Sequence, residues 1–290
     1  MRRPVQFEVT TLRSLAYIIE SHSTMQNPTA RRDSIQSIDR AAAILKTLAS
    51  GPRRLGVSEL AERLGLARPT VHGLLQTLQD HGFVEQDRAS EKYQLGPGLL
   101  QLGYSYLDLN ELRARSIVHA DRLANRTGAA VRVGVMHAAS VVVVHHAFRP
   151  DATLQILEVG SQLPVHASAL GKAILAFEPS GIFEELSAEP LPRLTKRTLS
   201  VRALREQLVE IRDRGVAIER DEAVLGESSV AAPIFDHSAR AVGAIGVVGD
   251  TERILPRGPG RGVIAAVIEA ARGISRELGA PRWPYVATSE

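Results

Sequence analysis

The chain has 290 residues, 44% of them hydrophobic, with 35 basic and 32 acidic side chains and a formal net charge of +3. This is ordinary globular material, long enough for two domains, with no charge excess that would by itself announce a nucleic-acid or acidic partner. It contains no cysteine, which excludes disulfides, thiolate metal sites and thiol nucleophiles, and no run approaches the roughly 20 apolar residues of a membrane span.

Residues 1–33 read as a loose N-terminal extension. They open with two arginines, but their apolar stretch is interrupted by Arg13, ends at Glu20 and is followed by no small-residue cleavage site, a poor match to a signal peptide. Met25 is an alternative start, and the protein is expected in the cytoplasm.

From residue 34 the pattern becomes periodic. "SIDRAAAILKTLAS" predicts a helix with Ile38, Ala41, Ala42, Leu45 and Leu48 on one face, Ser37 as its cap and Gly51-Pro52 as its stop. "GVSELAERLGL" predicts a second, capped by Ser58, with Leu60, Ala61 and Leu64 as its stripe and Gly65 at its end. A third follows within a few residues. Pro69 suits its first turn, and Leu74, Leu75 and Leu78 face a core. Phe83-Val84 and Tyr93–Leu95 then suggest a two-stranded wing with a polar tip at Arg88-Ala89-Ser90.

Two short helices across a tight, Gly-containing turn are a helix-turn-helix pattern, whose second helix lies in the major groove. Arg pairs with guanine and Gln with adenine; Thr and His can contact bases or phosphates. The candidate DNA contacts are Ser58, then Arg68, Thr70, His72, Gly73, Gln76 and Thr77 on the third helix, and Arg88 at the wing tip. Any exposed helix face carries polar residues, but the succession helix, turn, helix, wing favours base reading over a merely solvated face. Residues 34–96 hold eight basic side chains against seven acidic ones, a net of +1. One module therefore makes few phosphate contacts, and useful affinity requires two or more acting together.

After Gly96-Pro97-Gly98, residues 97–109 predict a linker helix with Leu99, Leu100, Leu102, Tyr104 and Leu107 on more than one side, with Asn110 as the cap of another helix. Excess apolar surface on such a connector suits packing against a second copy, although folding back onto its own chain is the alternative. Residues 110–280 mix helices and strands. Val131, Val133 and Val135 alternate as a half-buried strand, and Val141–Val144 reads as a buried one. A helix starts near Ser168, and another carries Leu204, Leu208 and Ile211. Residues 216–236 and 241–250 read as strands, and an amphipathic helix closes the module before a tail at 281–290. This composition predicts an α+β domain with a mainly antiparallel sheet.

The stretches "SIDRAAAILKTLAS", "LGVSELAERLGLARPTVHGLLQTLQDHGFVEQD" and "KYQLGPGLLQLG" closely resemble the IclR family of bacterial transcription regulators, and the resemblance spans roughly residues 34–280. It implies an N-terminal winged helix-turn-helix joined by a helical linker to a C-terminal GAF-like domain that binds a small effector and helps oligomerise. The partners implied are double-stranded, roughly palindromic operator DNA, a small organic or aromatic acid and further copies in a homodimer or homotetramer, with no cofactor and no membrane. The family often carries Ser-Thr and then Arg in its reading helix, where this chain has Pro69-Thr70 and Gly73.

"LPVHASALGKAILA" resembles the family's signature loop. By that resemblance Ser168, Ala169, Leu170 and Gly171 present amides to a carboxylate, although Ser168 is equally good as a plain N-cap. Lys172 one turn in serves either a ligand or a neighbouring carboxylate. The family's acidic stretch reads Glu219-Arg220-Asp221-Glu222 here, and Ser229 stands for its usual Cys. Glu219, Glu222 and Ser229 join the effector set, together with Gly246 and Val248, where the family often has serines. Those two substitutions suggest a roomier, more apolar wall and a ligand of some bulk.

Enzyme chemistry finds little support. His145 and His146 are adjacent on a strand, so they point to opposite faces and do not share a metal. No G-x-S-x-G elbow is present, and "GPGRG" near residue 260 lacks the strand-linked G-x-G-x-x-G context. The reading from a different class is a GAF-like binding or enzymatic protein whose head domain binds a protein partner. Sequence-specific DNA affinity separates the two.

Overall fold

The first helix, α1 (Gln36–Ser50), buries Ile44 and Leu48, while Asp39 in its first turn complements the helix dipole. In the computed structural model, which describes residues 35–52, 54–108, 111–151, 153–256, 260–281 and 283, the chain divides at Leu109/Asn110 into two units. The expected extension at 1–33, the Asn110 cap and all of the tail except Pro281 and Trp283 lie outside the described residues.

In the first unit both serine caps are corrected. Ile35 precedes α1 with no side-chain cap bond, and Ser37 sits inside the first turn. Helix α2 (Val57–Leu64) starts from Gly56, whose N–H donates to Glu59 Oε2 at 2.6 Å, so Glu59 occupies the capping role assigned to Ser58. Ile38, expected on the buried face, is largely exposed. Gly65 ends α2 in the left-handed conformation at φ 63°, and α3 (Arg68–Asp80) follows with Pro69 in its first turn. The wing is an antiparallel pair, β1 (Val84–Gln86) and β2 (Tyr93–Leu95). Its tip is pinned by Asp87 Oδ1, which accepts from the Ala89 and Ser90 amides at 2.9 Å. Leu55 exchanges backbone bonds with Tyr93 at 2.8 and 3.0 Å, tying the α1–α2 connection to the wing. Ile44, Leu48, Leu60, Val71, Leu75, Val84 and Tyr93 form one core under all three helices. Helix α4 (Gly98–Asp108) leaves Leu100, Leu102 and Tyr106 exposed.

The second unit is built on a six-stranded sheet of order β5-β4-β3-β8-β7-β6. Its strands are β3 (Ala130–His137), β4 (Ser140–Ala147), β5 (Gln162–Pro164), β6 (Ala217–Arg220), β7 (Glu227–Phe235) and β8 (Ala241–Asp250), every pair antiparallel. Residues 216–236, read above as one strand, are two. The chain turns at 221–226, where Asp221 (φ 56°) and Gly226 (φ 88°) both take left-handed conformations and Asp221 Oδ1 accepts from the Gly226 amide at 2.8 Å. An acidic, partly apolar run hid that hairpin.

The helices are α5 (Glu111–Thr127), α6 (Ala169–Leu175), α7 (Ser180–Leu186), α8 (Val201–Arg214), α9 (Thr251–Ile254) and α10 (Arg261–Glu277). Register decides which side chains meet. A Cβ on Gly243 would strike Leu112 of α5, so odd positions of β8 face that helix. Even positions face α6, and Ala217, Ala231 and Ala244 pack there against Leu170, Ala173, Ile174 and the α8 residues Leu204, Leu208 and Ile211. Along this face Arg132, Gly246, Ala231 and Ala217 stand in one cross-strand row, and Val248, Ser229 and Glu219 in the next. Among the described residues no helix is long and apolar enough to cross a membrane.

Candidate functional site

Helix α3 buries Val71, Leu75 and Leu78. Helical geometry then puts Pro69, Gly73, Gln76 and Asp80 along the opposite line, with His72 and Thr77 beside it. Arg68, His72, Gly73, Gln76 and Thr77 are exposed, and Thr70 is half-buried. Thr77 Oγ1 donates to the Gly73 carbonyl at 3.1 Å, so its hydroxyl is turned onto its own helix. A Cβ on Gly73 would meet nothing within 4 Å, so no packing inside the unit calls for glycine there. Asp80 puts a negative charge at the C-terminal end of the line, unfavourable to phosphate, while Arg68 and His72 stand exposed in the N-terminal half. Ser58 is exposed in the first turn of α2, and Arg88 is exposed at the wing tip. Two of the unit's cations are engaged locally, Arg54 with Asp87 and Lys92 with Glu59.

In the second unit Ser168, Ala169 and Leu170 at the start of α6, Glu219 on β6, Ser229 on β7 and Gly246 and Val248 on β8 line a single cavity of about 20 Å³. That is room for about one water. Ser168 caps α6: its Oγ accepts from the Gly171 amide at 3.1 Å and donates to the Pro164 carbonyl at 2.8 Å. The wall at Gly246 is not roomier, as the sequence suggested. A Cβ there would lie 2.7 Å from both the Ala231 Cβ and the Val230 carbonyl oxygen, so the glycine is filled space.

Gly171 and Glu222 do not line the cavity. Gly171 is a packing residue, for a Cβ would stand 2.3 Å from the Val165 carbonyl oxygen. Glu222 lies behind the wall, its Oε1 accepting from Lys172 Nζ at 2.7 Å, while the same ammonium donates to the Ile218 carbonyl at 2.8 Å. Lys172 is fully buried, so its role is structural. Burial pushes the Lys172 ammonium down against the pull of Glu222, and pushes the Glu222 carboxyl up against the pull of Lys172. The short contact therefore holds a proton between two groups that the interior would each prefer neutral.

Glu219 joins the two layers. Its Oε1 accepts from the Glu222 amide at 2.7 Å and its Oε2 from Ser229 Oγ at 2.9 Å. Burial pushes its carboxyl up from 4.5 to about 7, outweighing those donors. A carboxyl raised in the folded state contributes stability that is complete below about 4.5 and is lost as the pH rises through about 7. Glu219→Gln should accordingly change the stability difference from wild type by about 3 kcal/mol between pH 5 and pH 8, in favour of the variant at the higher pH. Urea unfolding of both proteins at the two pH values reads this; a constant difference would show that Glu219 does not titrate there.

Arg132 was not singled out in the sequence. The available signal was an arginine at a sheet-face position in an otherwise apolar alternation. The residue lines the cavity, and its guanidinium is bound by Glu158 through Nε and Nη2 and by Glu227 through Nη1 at 3.1 Å. His146 pairs with Arg132 across β3 and β4, whereas the adjacent His145 pairs with Val133 and faces the other way. No group of three or more His, Asp or Glu among the described residues could hold a metal ion.

Comparison with known proteins agrees with this architecture. The family model described as "IclR helix-turn-helix domain" matches residues 37–88, and "Bacterial transcriptional regulator IclR C-terminal" matches residues 104–276. The chain is similar to the glycerol operon regulatory protein of Streptomyces griseus, 49% identical over 86% of this chain and 98% of that protein. It is likewise similar to the Streptomyces coelicolor protein of the same name, at 48% over 86% and 98%. Its fold is similar to an IclR transcriptional regulator from Alicyclobacillus acidocaldarius, with a TM-score of 0.72 and 27% identity over 84% of this chain and 99% of that one. With a helix-turn-helix and wing in one unit, a sheet-and-helix cavity in the other and matches to both family models, the chain belongs to the IclR family of DNA-binding transcriptional regulators, not to a family of enzymes.

Proposed function

We propose that the protein controls a catabolic operon by binding a roughly palindromic operator with two or more copies of its winged head, and that it senses a small organic acid in the cavity between α6 and the sheet. The observation that carries the effector half is the convergence of Ser168, Ala169, Leu170, Glu219, Ser229, Gly246 and Val248, from four separate elements, on one cavity. At about 20 Å³ it has room for about one water, so the cavity has to widen around such an acid, and its charged lining favours a compact, polar one. The names of the Streptomyces relatives make an operon for glycerol use the first to examine. A dimer or tetramer is favoured by the head's net charge of +1 over residues 34–96 and by Leu100, Leu102 and Tyr106 exposed on α4. The place of action is the cytoplasm, with the DNA and away from any membrane.

In the DNA-bound state Arg68, Thr70, His72, Gly73, Gln76 and Thr77 face the major groove, with Ser58 and Arg88 at flanking phosphates. Arg68→Ala tests the arrangement. If Arg68 contacts a base, operator affinity falls by about 1–3 kcal/mol while affinity for scrambled duplex changes little. Equal losses on both duplexes, read by fluorescence anisotropy, would place Arg68 on the phosphate backbone instead.

A further inference from the structure

Arg132 is costly where it stands. It projects from β3 onto a sheet face shared with Gly246, Ala231 and Val248, and its side chain is only 11% exposed. One carboxylate suffices to neutralise a buried guanidinium, and Glu158 already does so in a two-pronged contact through Nε and Nη2. The Glu158 backbone is held by its amide, which donates to His146 Nδ1 at 3.3 Å, and its side chain is 20% exposed. Glu227 is therefore a second negative charge on an ion pair that is already balanced. It makes a single contact, from Nη1 at 3.1 Å, and its side chain is 32% exposed. It also follows Gly226, whose φ of 88° marks the bend into β7, so it has solvent to turn into. A guanidinium has five N–H donors; the bonds to Glu158 and Glu227 use three of them and leave one on each of Nη1 and Nη2, on a residue that lines the cavity.

We infer that Arg132 is the specificity-determining residue of the effector cavity, anchoring a carboxylate or phosphate group of a small ligand that takes the place of Glu227 charge for charge. Glu158 keeps the guanidinium oriented throughout. Ser229 and Glu219, on the same wall, then face the ligand's hydroxyl groups. The inference rests on the reading of this cavity as the effector site and adds to it the residue that selects the ligand.

The test is calorimetric titration of the full chain with glycerate, with glycerol 3-phosphate, and with glycerol as a neutral control. Wild type should bind at least one of the two anions more tightly than glycerol, and whichever binds more tightly identifies carboxylate or phosphate as the anchored group. Glu227→Gln removes the competing charge and should tighten that anion roughly 3- to 30-fold. Arg132→Lys keeps the charge but loses the fork and should weaken it about 10- to 100-fold. Anion affinity unchanged or reduced in Glu227→Gln overturns the inference, as does wild type that takes up neither anion at millimolar concentration. Glu227→Gln alters a partly exposed side chain, so it serves even where Arg132→Lys does not fold. Operator binding by the same wild-type preparation is measured separately; its absence would count against the regulator reading, while the titrations alone judge Arg132.

Discussion

Lys172→Met should destabilise the second unit by about 3–5 kcal/mol, because it removes one partner of a buried ion pair and leaves the other charge without compensation. Lys172 is fully buried, and its ammonium is shared between Glu222 and the Ile218 carbonyl. Without it, Glu222 has one carboxylate oxygen that was already buried with no partner and a second that has just lost its own. Glu219, bonded to the Glu222 amide, adds a like charge beside it. The carboxylates relieve the strain by taking up protons, so the loss should be largest at high pH and shrink toward pH 5. The double variant Lys172→Met, Glu222→Leu should recover most of the stability, since an apolar pair of similar volume often replaces a buried ion pair at little cost. Urea unfolding across pH reads all three quantities. A loss below about 1 kcal/mol would show that the pair contributes no more than an exposed one.

Gly171→Ala should cost more than about 3 kcal/mol, the upper part of the range for overpacking a filled core. The added methyl would stand 2.3, 2.5 and 2.7 Å from the carbonyl oxygen, Cα and carbonyl carbon of Val165. These are backbone atoms held by the turn at 164–168, where the Ala167 and Ser168 amides both donate to the Pro164 carbonyl. No rotamer change relieves such a clash. The loop or α6 must shift, and α6 carries Leu170, Ala173 and Ile174 into the core. Gly73→Ala is the control, because a Cβ there meets nothing within 4 Å. In thermal melts it should stabilise the head by up to about 1 kcal/mol while Gly171→Ala unfolds the second unit early.

The helix-turn-helix was legible because its signals are local. Leu60, Ala61 and Leu64, then Leu74, Leu75 and Leu78, mark the two helices, although Val71 is buried where Leu74 is only half-buried, and Gly65 punctuates them where a left-handed turn is needed. Caps were less legible. Ser37 and Ser58 are better N-cap residues by type than Ile35 and Gly56, yet in α2 the reciprocal bond from Gly56 to Glu59 settles the start. The hairpin between β6 and β7 was hidden for a related reason: its turn is made by Asp221 and Gly226, spaced too far apart to read as a short turn motif. The cavity was partly legible. Ser168, Glu219 and Ser229 could be placed through the resemblance, but the pairing of Lys172 with Glu222, 50 residues away, depends on the sheet's register and on α6 packing across it. Arg132 escaped notice because alternation shows that a strand has two faces without showing which one holds a cavity.

The central claim is specific recognition of DNA, and the most direct measurement is anisotropy of a labelled duplex from the region upstream of this protein's own gene, set against a scrambled duplex across a salt series. The expected result is tighter binding of the native duplex by at least about a thousandfold at physiological salt, with affinity for both falling as salt rises. Equal affinity for the two duplexes with parallel salt slopes, or no binding of either, would contradict it.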